Sequence, residues 1–134
     1  MRSLDPKYIS YDDPLFIMEC RKAIRFFDME IAHSVSYHKD GAMGGFAFVE
    51  QQKRQFMILA YGHGKWIDRG LIPHFFRYPF EKLHAWELIM SVRDENIRTL
   101  RLSQRFGVKV VKHTNGTTIL KVSKKDYENF IAQL

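Results

Sequence analysis

Three glycines occupy a stretch of the chain that is suited to binding a phosphate group. Gly62, Gly64 and Gly70 lie between an apolar run of residues and the expected start of a helix. The N–H groups of a glycine-rich loop and the positive end of a helix dipole together favour a bound anion. A glycine-rich connection without a ligand accounts for the same residues, and on this loop alone it is the simpler interpretation.

Three arginines form a second candidate for anion binding. At about 100° per residue along a helix, Arg98, Arg101 and Arg105 fall on one narrow stripe, beside Leu102 and Phe106. A solvated cationic face is the simpler interpretation of this stripe. The alternative is that the three arginines bind a polyphosphate ligand or RNA.

Motifs for several other chemistries are missing. The sequence has no His-Glu-x-x-His and no Gly-x-Ser-x-Gly, and Gly62 to Lys65 lacks the spacing and hydroxyl residue of a P-loop. No metal site is expected, because the histidines lack ligand spacing and suit packing or surface positions. The histidines are His33, His38, His63, His74, His84 and His113. The one cysteine, Cys20, lies on the apolar face of an expected helix and is predicted to be buried.

Length and composition limit the class of protein. The 134 residues fit a single domain, 1–134, and 46 % hydrophobic residues exclude intrinsic disorder. A net charge of +6 suits an anionic partner such as nucleic acid, a membrane surface or a phosphorylated cofactor. A single cysteine, no signal peptide and no apolar run of about 20 residues predict a soluble cytoplasmic protein without a membrane partner.

The apolar periodicity predicts an α/β chain with the element order β-α-β-β-β-α-β-α-β-β-α. The expected helices are 14–27, 69–83, 97–106 and 124–134. The expected strands are 7–11, 31–37, 45–50, 55–61, 86–92, 108–112 and 117–122.

Local signals set the ends of these elements. Asp12 or Asp13 is expected to cap the first helix, and Pro79 to kink or break the second. Residues 38–41 form a turn sequence, and Asn115-Gly116 predicts a tight hairpin near the end of the chain.

Two strands are expected to lie side by side in the centre of the sheet. Residues 55–61 are apolar on both faces, and residues 62–64 are expected to end that strand. A segment containing a helix leads from this strand to 86–92, also expected to be buried. Such a crossover predicts that the two strands run parallel.

Residues 96–108 fit a longer pattern, Asn-x-x-(Ala/Ser/Thr)-x-x-Leu-Tyr-x-(Lys/Arg)-x-Gly-Phe. The matching positions are Asn96, Thr99, Leu102, Arg105 and Gly107. With this pattern the sequence resembles the GNAT superfamily of N-acetyltransferases. It departs at Ser103, where the family usually has tyrosine, and at Val108, where it usually has phenylalanine.

The resemblance extends over nearly the whole chain. Arg69-Gly70 and the stretches 78–83 and 89–92 look like the family's helix and following strand, particularly in phage-encoded members. The element order also matches. The implied fold is α/β (α+β), with a mixed, mostly antiparallel central sheet, a splayed parallel strand pair and flanking helices.

The resemblance implies a site for acetyl-CoA in a V-shaped gap between strands 55–61 and 86–92. The pantetheine arm would pair with the backbone of 59–61, and the pyrophosphate would sit on the loop 62–70. The implied cofactor contacts are Leu59, Ala60, Tyr61, Gly62, Gly64, Lys65, Arg69, Gly70, Asn96, Arg101 and Arg105.

Catalysis in this family is direct transfer, in which a base deprotonates the acceptor amine and a tyrosine protonates the leaving thiolate. Ser103 stands in that tyrosine's place, and serine is a poorer acid. Glu50, Tyr61 and His63 are the candidates for the base.

The function that follows is acetyl transfer from acetyl-CoA to an amine of a small molecule or a protein. The alternative is a non-catalytic GNAT-like phage virion or host-interaction protein; a phage-encoded chain would work in the host cytoplasm. A nucleic-acid partner is not expected, because no recognition motif accompanies the charge. The acceptor, which the resemblance places around 24–28 and 112–118, and the oligomeric state are not specified by the sequence.

Overall fold

A seven-stranded sheet organises the chain. The computed structural model describes residues 5–23, 33–63, 72–97, 100–101, 104 and 108–133. The strands are β1 (Ile9–Tyr11), β2 (His33–Lys39), β3 (Ala42–Gln52), β4 (Gln55–His63), β5 (Glu87–Arg93), β6 (Lys109–Thr114) and β7 (Thr117–Ser123). The helices are α1 (Pro14–Ala23), α2 (Ile72–Arg77) and α3 (Lys124–Ala132), with a 3₁₀ turn at Pro6–Tyr8 and a π-helix at Tyr78–Lys82. Ile97, Leu100, Arg101 and Gln104 are also helical.

The strand order is β1-β2-β3-β4-β5-β7-β6. The pair β4–β5 is parallel, and the other neighbouring strands are antiparallel. This is the mixed, mostly antiparallel sheet with flanking helices that the family resemblance implied, and the predicted parallel pairing of β4 and β5 is confirmed.

The sheet has a large apolar cluster on one face and a small one on the other. In the large cluster, side chains of β2, β3, β4, β5 and β7 pack against α2, the π-helix and α3. Phe46, Phe75, Phe80 and Leu120 belong to it. The small cluster consists of Phe16 and Cys20 of α1 packed on Ala47 and Val49 of β3. The predicted burial of Cys20 is confirmed, and this burial raises the pKa of its thiol to about 12.

Local signals predicted several element ends correctly. Asn115 and Gly116 adopt φ values of 48° and 77°, as a two-residue hairpin turn requires. Asp13 Oδ1 accepts the Leu15 N–H at 3.0 Å and so caps α1. Asp12 has another role, since its Oδ2 accepts the hydroxyl of Tyr78 at 2.5 Å.

Other boundaries differ from the predictions. β4 does not end at Gly62 and His63 but continues through both, because β3 pairs with them at Gly44↔Gly62 and Met43↔His63. The strand is not covered equally on both faces either, since Met57 is only half-buried. The predicted strand 7–11 begins as a 3₁₀ turn. The predicted residues 24–27, 31–32 and 69–71 lie outside the described part of the chain.

The predicted kink at Pro79 takes the form of a change of helix type. α2 passes into the π-helix Tyr78–Lys82, which contains the proline. The Leu83 N–H donates to the Tyr78 carbonyl at 3.2 Å, a bond across five residues. No helix in the described ranges is both long and apolar enough to cross a membrane.

Tyr127 connects α3 to the π-helix. We expect its hydroxyl to make the folded protein less stable at alkaline pH. Its hydroxyl donates to Glu81 Oε2 at 2.7 Å, and its ring stacks on Phe80 at 4.9 Å. Burial, assisted by the hydrogen bond to Glu81, raises the pKa of Tyr127 to about 12. Above pH ~10 an unfolded chain loses this proton while the folded chain keeps it, so the unfolding free energy falls as pH rises.

Replacing Tyr127 with phenylalanine should therefore flatten the alkaline fall in stability by about 1 kcal/mol between pH 9 and 11. Urea unfolding of both proteins across this range measures the difference. Lysines titrate in both proteins, so comparing the two slopes isolates the tyrosine. Identical slopes would contradict the assignment.

Candidate active site

β4 and β5 pair over only part of their lengths. Their pairing runs from Gln55↔Glu87 to Ile58↔Met90. Beyond that point β4 stays paired with β3 as far as His63, and β5 stays paired with β7 as far as Arg93. Each strand thus follows its outer neighbour, which leaves a V-shaped gap between residues 59–63 and 91–93.

The gap exposes backbone hydrogen-bonding groups. A strand directs its N–H and C=O groups alternately to its two sides, so each strand in a sheet needs two partners. Beyond Ile58, no strand in the described part of the chain pairs with the β5 side of β4. An extended ligand with amide groups can take the place of the missing strand.

Each face of the sheet has an exposed side chain beside the gap. On the face of the large apolar cluster, Phe56 and Ile58 are buried but Ala60, which lies opposite Phe46, is exposed. Ser91 of β5 alternates with the buried Met90, so it lies on the other face, and it is exposed. The exposed positions beside the gap thus lie on opposite faces of the sheet.

All four cofactor candidates on β4 lie beside the gap. Leu59, Ala60, Tyr61 and Gly62 form one wall of the gap. Leu59 and Tyr61 pack against the α1 cluster, and the Tyr61 ring lies 6.4 Å from that of Phe16.

The candidate bases lie at different ends of the sheet. Tyr61 and His63 both belong to the splayed end of β4, and His63 is exposed. Glu50 pairs with Phe56, five positions before Tyr61, which is about 16 Å along a strand. Its Oε2 accepts the Arg54 N–H at 3.4 Å. The structure does not bring Glu50 to the gap.

Asn96 and Arg101 follow β5 directly. The Asn96 N–H donates to the Arg93 carbonyl at 2.9 Å, and the Asn96 carbonyl accepts the Leu100 N–H at 3.2 Å, so a helical turn begins at the end of β5. Leu100 packs on the large apolar cluster, and Arg101 is exposed. The remaining candidates, outside the described ranges, are Gly64, Lys65, Arg69, Gly70, Ser103 and Arg105.

Sequence reasoning missed a polar cluster at the end of β5. The buried Thr118 hydroxyl donates to Asp94 Oδ1 at 2.5 Å and lies 3.0 Å from Nδ1 of His113. Because the hydroxyl has one proton, Nδ1 of His113 is the donor in the second contact. These residues come from separate segments with no common motif. Ser91 was also missed, since its exposure depends on where β4 and β5 separate.

Comparison with solved structures identifies the fold. PseH, an N-acetyltransferase from Campylobacter jejuni, superposes with a TM-score of 0.62 over 87 % of this chain and 98 % of that chain, at 14 % identity. The fold is that of the GNAT N-acetyltransferases. PseH in complex with acetyl coenzyme A superposes with a TM-score of 0.58 at 17 % identity, covering 77 % of this chain and 73 % of that chain.

A second similar structure is a variant of the spermidine N-acetyltransferase SpeG from Vibrio cholerae. Its TM-score is 0.60 at 15 % identity, and the match covers 72 % of this chain and 66 % of SpeG. No protein-family model matches this sequence, and no curated protein matches it. The predicted GNAT-like fold is confirmed by the sheet topology and these superpositions together.

Proposed function

We propose that this protein transfers the acetyl group of acetyl-CoA to an amine. The observation that carries the proposal is the gap between β4 and β5, which opens at Ala60 on one face of the sheet and at Ser91 on the other. Direct transfer needs the thioester and the amine side by side, with each molecule entering separately. A gap with an exposed position on each face supports this arrangement.

The unpaired side of β4 suits the pantetheine arm. This arm is a chain with two amide groups. It can form hydrogen bonds with the backbone N–H and C=O groups of residues 59–62 that do not pair with β5. The diphosphate would then lie beyond His63, where Gly64, Lys65, Arg69 and Gly70 follow in the sequence. The exposed Arg101, with Arg105, supplies positive charge for the ADP phosphates.

The reaction needs an uncharged amine and a stabilised thiolate. A base removes the proton from the ammonium group, and the nitrogen lone pair then attacks the thioester carbonyl. Imidazole is the side chain most often used as a general base, which favours His63, and Tyr61 is the second candidate. The nitrogen of the tetrahedral intermediate then loses its second proton to solvent, the C–S bond breaks to leave the amide, and Ser103 or water protonates the sulfur.

The acceptor is an amine of a small molecule or a protein. SpeG is named for spermidine, so spermidine belongs in the first panel of amines, together with peptides that offer a lysine or a free N-terminus. The other interpretation from the sequence, a non-catalytic protein with the same fold, shares the gap but predicts no turnover.

Calorimetry followed by a turnover assay tests the proposal. We expect acetyl-CoA and CoA to bind with dissociation constants of about 1–100 μM, and dephospho-CoA to bind more weakly. Release of free thiol should then require an amine from the panel. No binding of acetyl-CoA would overturn the proposal, and tight binding without turnover on any amine would support the non-catalytic interpretation.

A further inference from the structure

A tryptophan is exposed at the end of the sheet opposite the gap. Trp86, just before β5, is 64 % exposed. Its backbone is held on both sides, since its N–H donates to the Arg54 carbonyl at 2.7 Å and its carbonyl accepts the Lys124 N–H at 2.7 Å. The indole is therefore presented to solvent from a backbone fixed between the β3–β4 turn and the start of α3.

The two segments that bond to the Trp86 backbone carry cationic side chains. The Arg54 guanidinium lies over the ring, 5.6 Å from its centre. Lys53 precedes Arg54 in the turn, and Lys124 and Lys125 begin α3; all are exposed. We name Lys53, Arg54, Trp86, Lys124 and Lys125 the Trp86 patch.

Glu50, Glu87 and Asp126 lie near the patch, and Glu50 accepts the backbone N–H of Arg54 at 3.4 Å. Glu87 accepts a hydrogen bond from Gln55 and pairs with Lys121 at 3.1 Å. The Asp126 carboxylate accepts the backbone N–H of Ser123 in the capping box at the start of α3, and it forms an ion pair with Lys109 at 3.1 Å. In the described part of the chain, no carboxylate lies within 4.0 Å of the ammonium groups of the three lysines of the patch.

The position of Lys124 and Lys125 opposes helix stability. They occupy the first turn of α3, where the helix dipole disfavours positive charge. The patch thus combines an exposed aromatic face with cations that contribute little to the fold.

We propose that the Trp86 patch binds single-stranded nucleic acid. An unpaired base can stack on the indole while its phosphates contact the surrounding cations, and such stacking tolerates any base. A membrane surface fits less well, because Trp86 is the only apolar residue of the patch and insertion needs several. An acidic peptide would match the charge but offers the indole no planar partner.

The patch also explains why the sequence predicted no nucleic-acid partner. Its residues lie in three segments, 53–54, 86 and 124–125, that form no continuous motif. Folding brings the segments together through the two backbone bonds of Trp86. The patch lies at the opposite end of β4 from the gap, so this proposal does not depend on acetyl transfer.

Fluorescence anisotropy with a fluorescein-labelled 12-nucleotide oligo(dT) and oligo(U) tests the proposal. Wild-type protein should bind both, with affinity falling steeply between 50 and 200 mM salt. Trp86→Ala should weaken binding about tenfold or more, and Trp86→Phe should retain most of it because a ring remains. In a Trp66→Phe background, where Trp86 is the remaining tryptophan, binding should quench the intrinsic fluorescence.

Matched charge variants separate the patch from general attraction to a basic protein. The pair Lys124→Gln with Lys125→Gln should weaken binding at least fivefold, whereas Lys22→Gln with Lys112→Gln, of equal charge change, should alter it less than twofold. Equal losses in both pairs, or no effect of Trp86→Ala in a folded protein, would overturn the proposal. So would stronger Trp86-dependent binding to polyglutamate or to vesicles with 30 % phosphatidylserine.

Discussion

Replacing Ala60 with tryptophan is expected to abolish acetyl-CoA binding and leave the protein folded. Ala60 is exposed on β4 at the point where β4 and β5 have separated, and its cross-strand partner is Phe46 of β3. A methyl group leaves the gap open on this face. An indole would occupy the space that the pantetheine arm needs, and the arm has no second unpaired strand side on β4. We expect affinity to fall at least about 100-fold, which is ~2.7 kcal/mol.

Calorimetry measures this loss of acetyl-CoA affinity, and two control variants show whether the loss is specific to a filled gap. Gln52→Trp places the same indole on an exposed position of β3, at the opposite end of β4 from the gap, and should leave affinity within about twofold. Ala60→Ser changes the position without filling it and should also bind. Wild-type affinity in folded Ala60→Trp would show that acetyl-CoA does not bind in the gap. Weak binding to the wild-type protein would instead show that acetyl-CoA is not its co-substrate.

Short-range signals predicted much of the fold. Asn115-Gly116 needs only its own backbone preferences to form a hairpin turn, and the structure has that turn. The parallel pairing of β4 and β5 follows from two apolar runs joined by a helix, so it too could be predicted. Both features depend on residues that are close in sequence or on a connection with one favoured handedness.

Long-range pairing decided what the sequence could not predict. Gly62 has the local character of a strand breaker, yet β3 supplies it with a partner at Gly44 and the strand continues. Trp86 was predicted to begin a buried strand, yet β5 begins at Glu87 and the Trp86 side chain is 64 % exposed.

The same limit applies to the candidate site. Glu50 has the right chemistry for a base, but only the strand register shows that it lies at the opposite end of β4 from the gap. The register also shows that Ala60 and Ser91 open the gap on opposite faces, which residue types alone do not reveal.

The largest expected effect on stability comes from adding a single methyl group at Gly45. This residue lies in β3, where a Cβ atom would approach the Val35 carbonyl oxygen to 2.1 Å and the Ser36 Cα to 2.6 Å. Both atoms belong to the backbone of β2, the neighbouring strand, so no side-chain rotation relieves the contact. β3 also pairs with β4, which limits its movement away from β2. Gly45→Ala should cost about 3 kcal/mol or more of unfolding free energy.

Urea unfolding measures the loss, with Gln51→Ala as the control. Gln51 is exposed on the same strand, and its replacement should change stability by about 0.5 kcal/mol or less. The substitution should also change the candidate site. Gly45 lies opposite Tyr61, so a shift of β3 displaces β4, the strand that forms one wall of the gap. We therefore expect any folded Gly45→Ala protein to bind acetyl-CoA more weakly than wild type. Unchanged stability would mean that β2 and β3 are less closely packed at Gly45 than the structure places them. A large loss of stability with unchanged affinity would instead show that the wall of the gap is held by β4 itself and not by its pairing with β3.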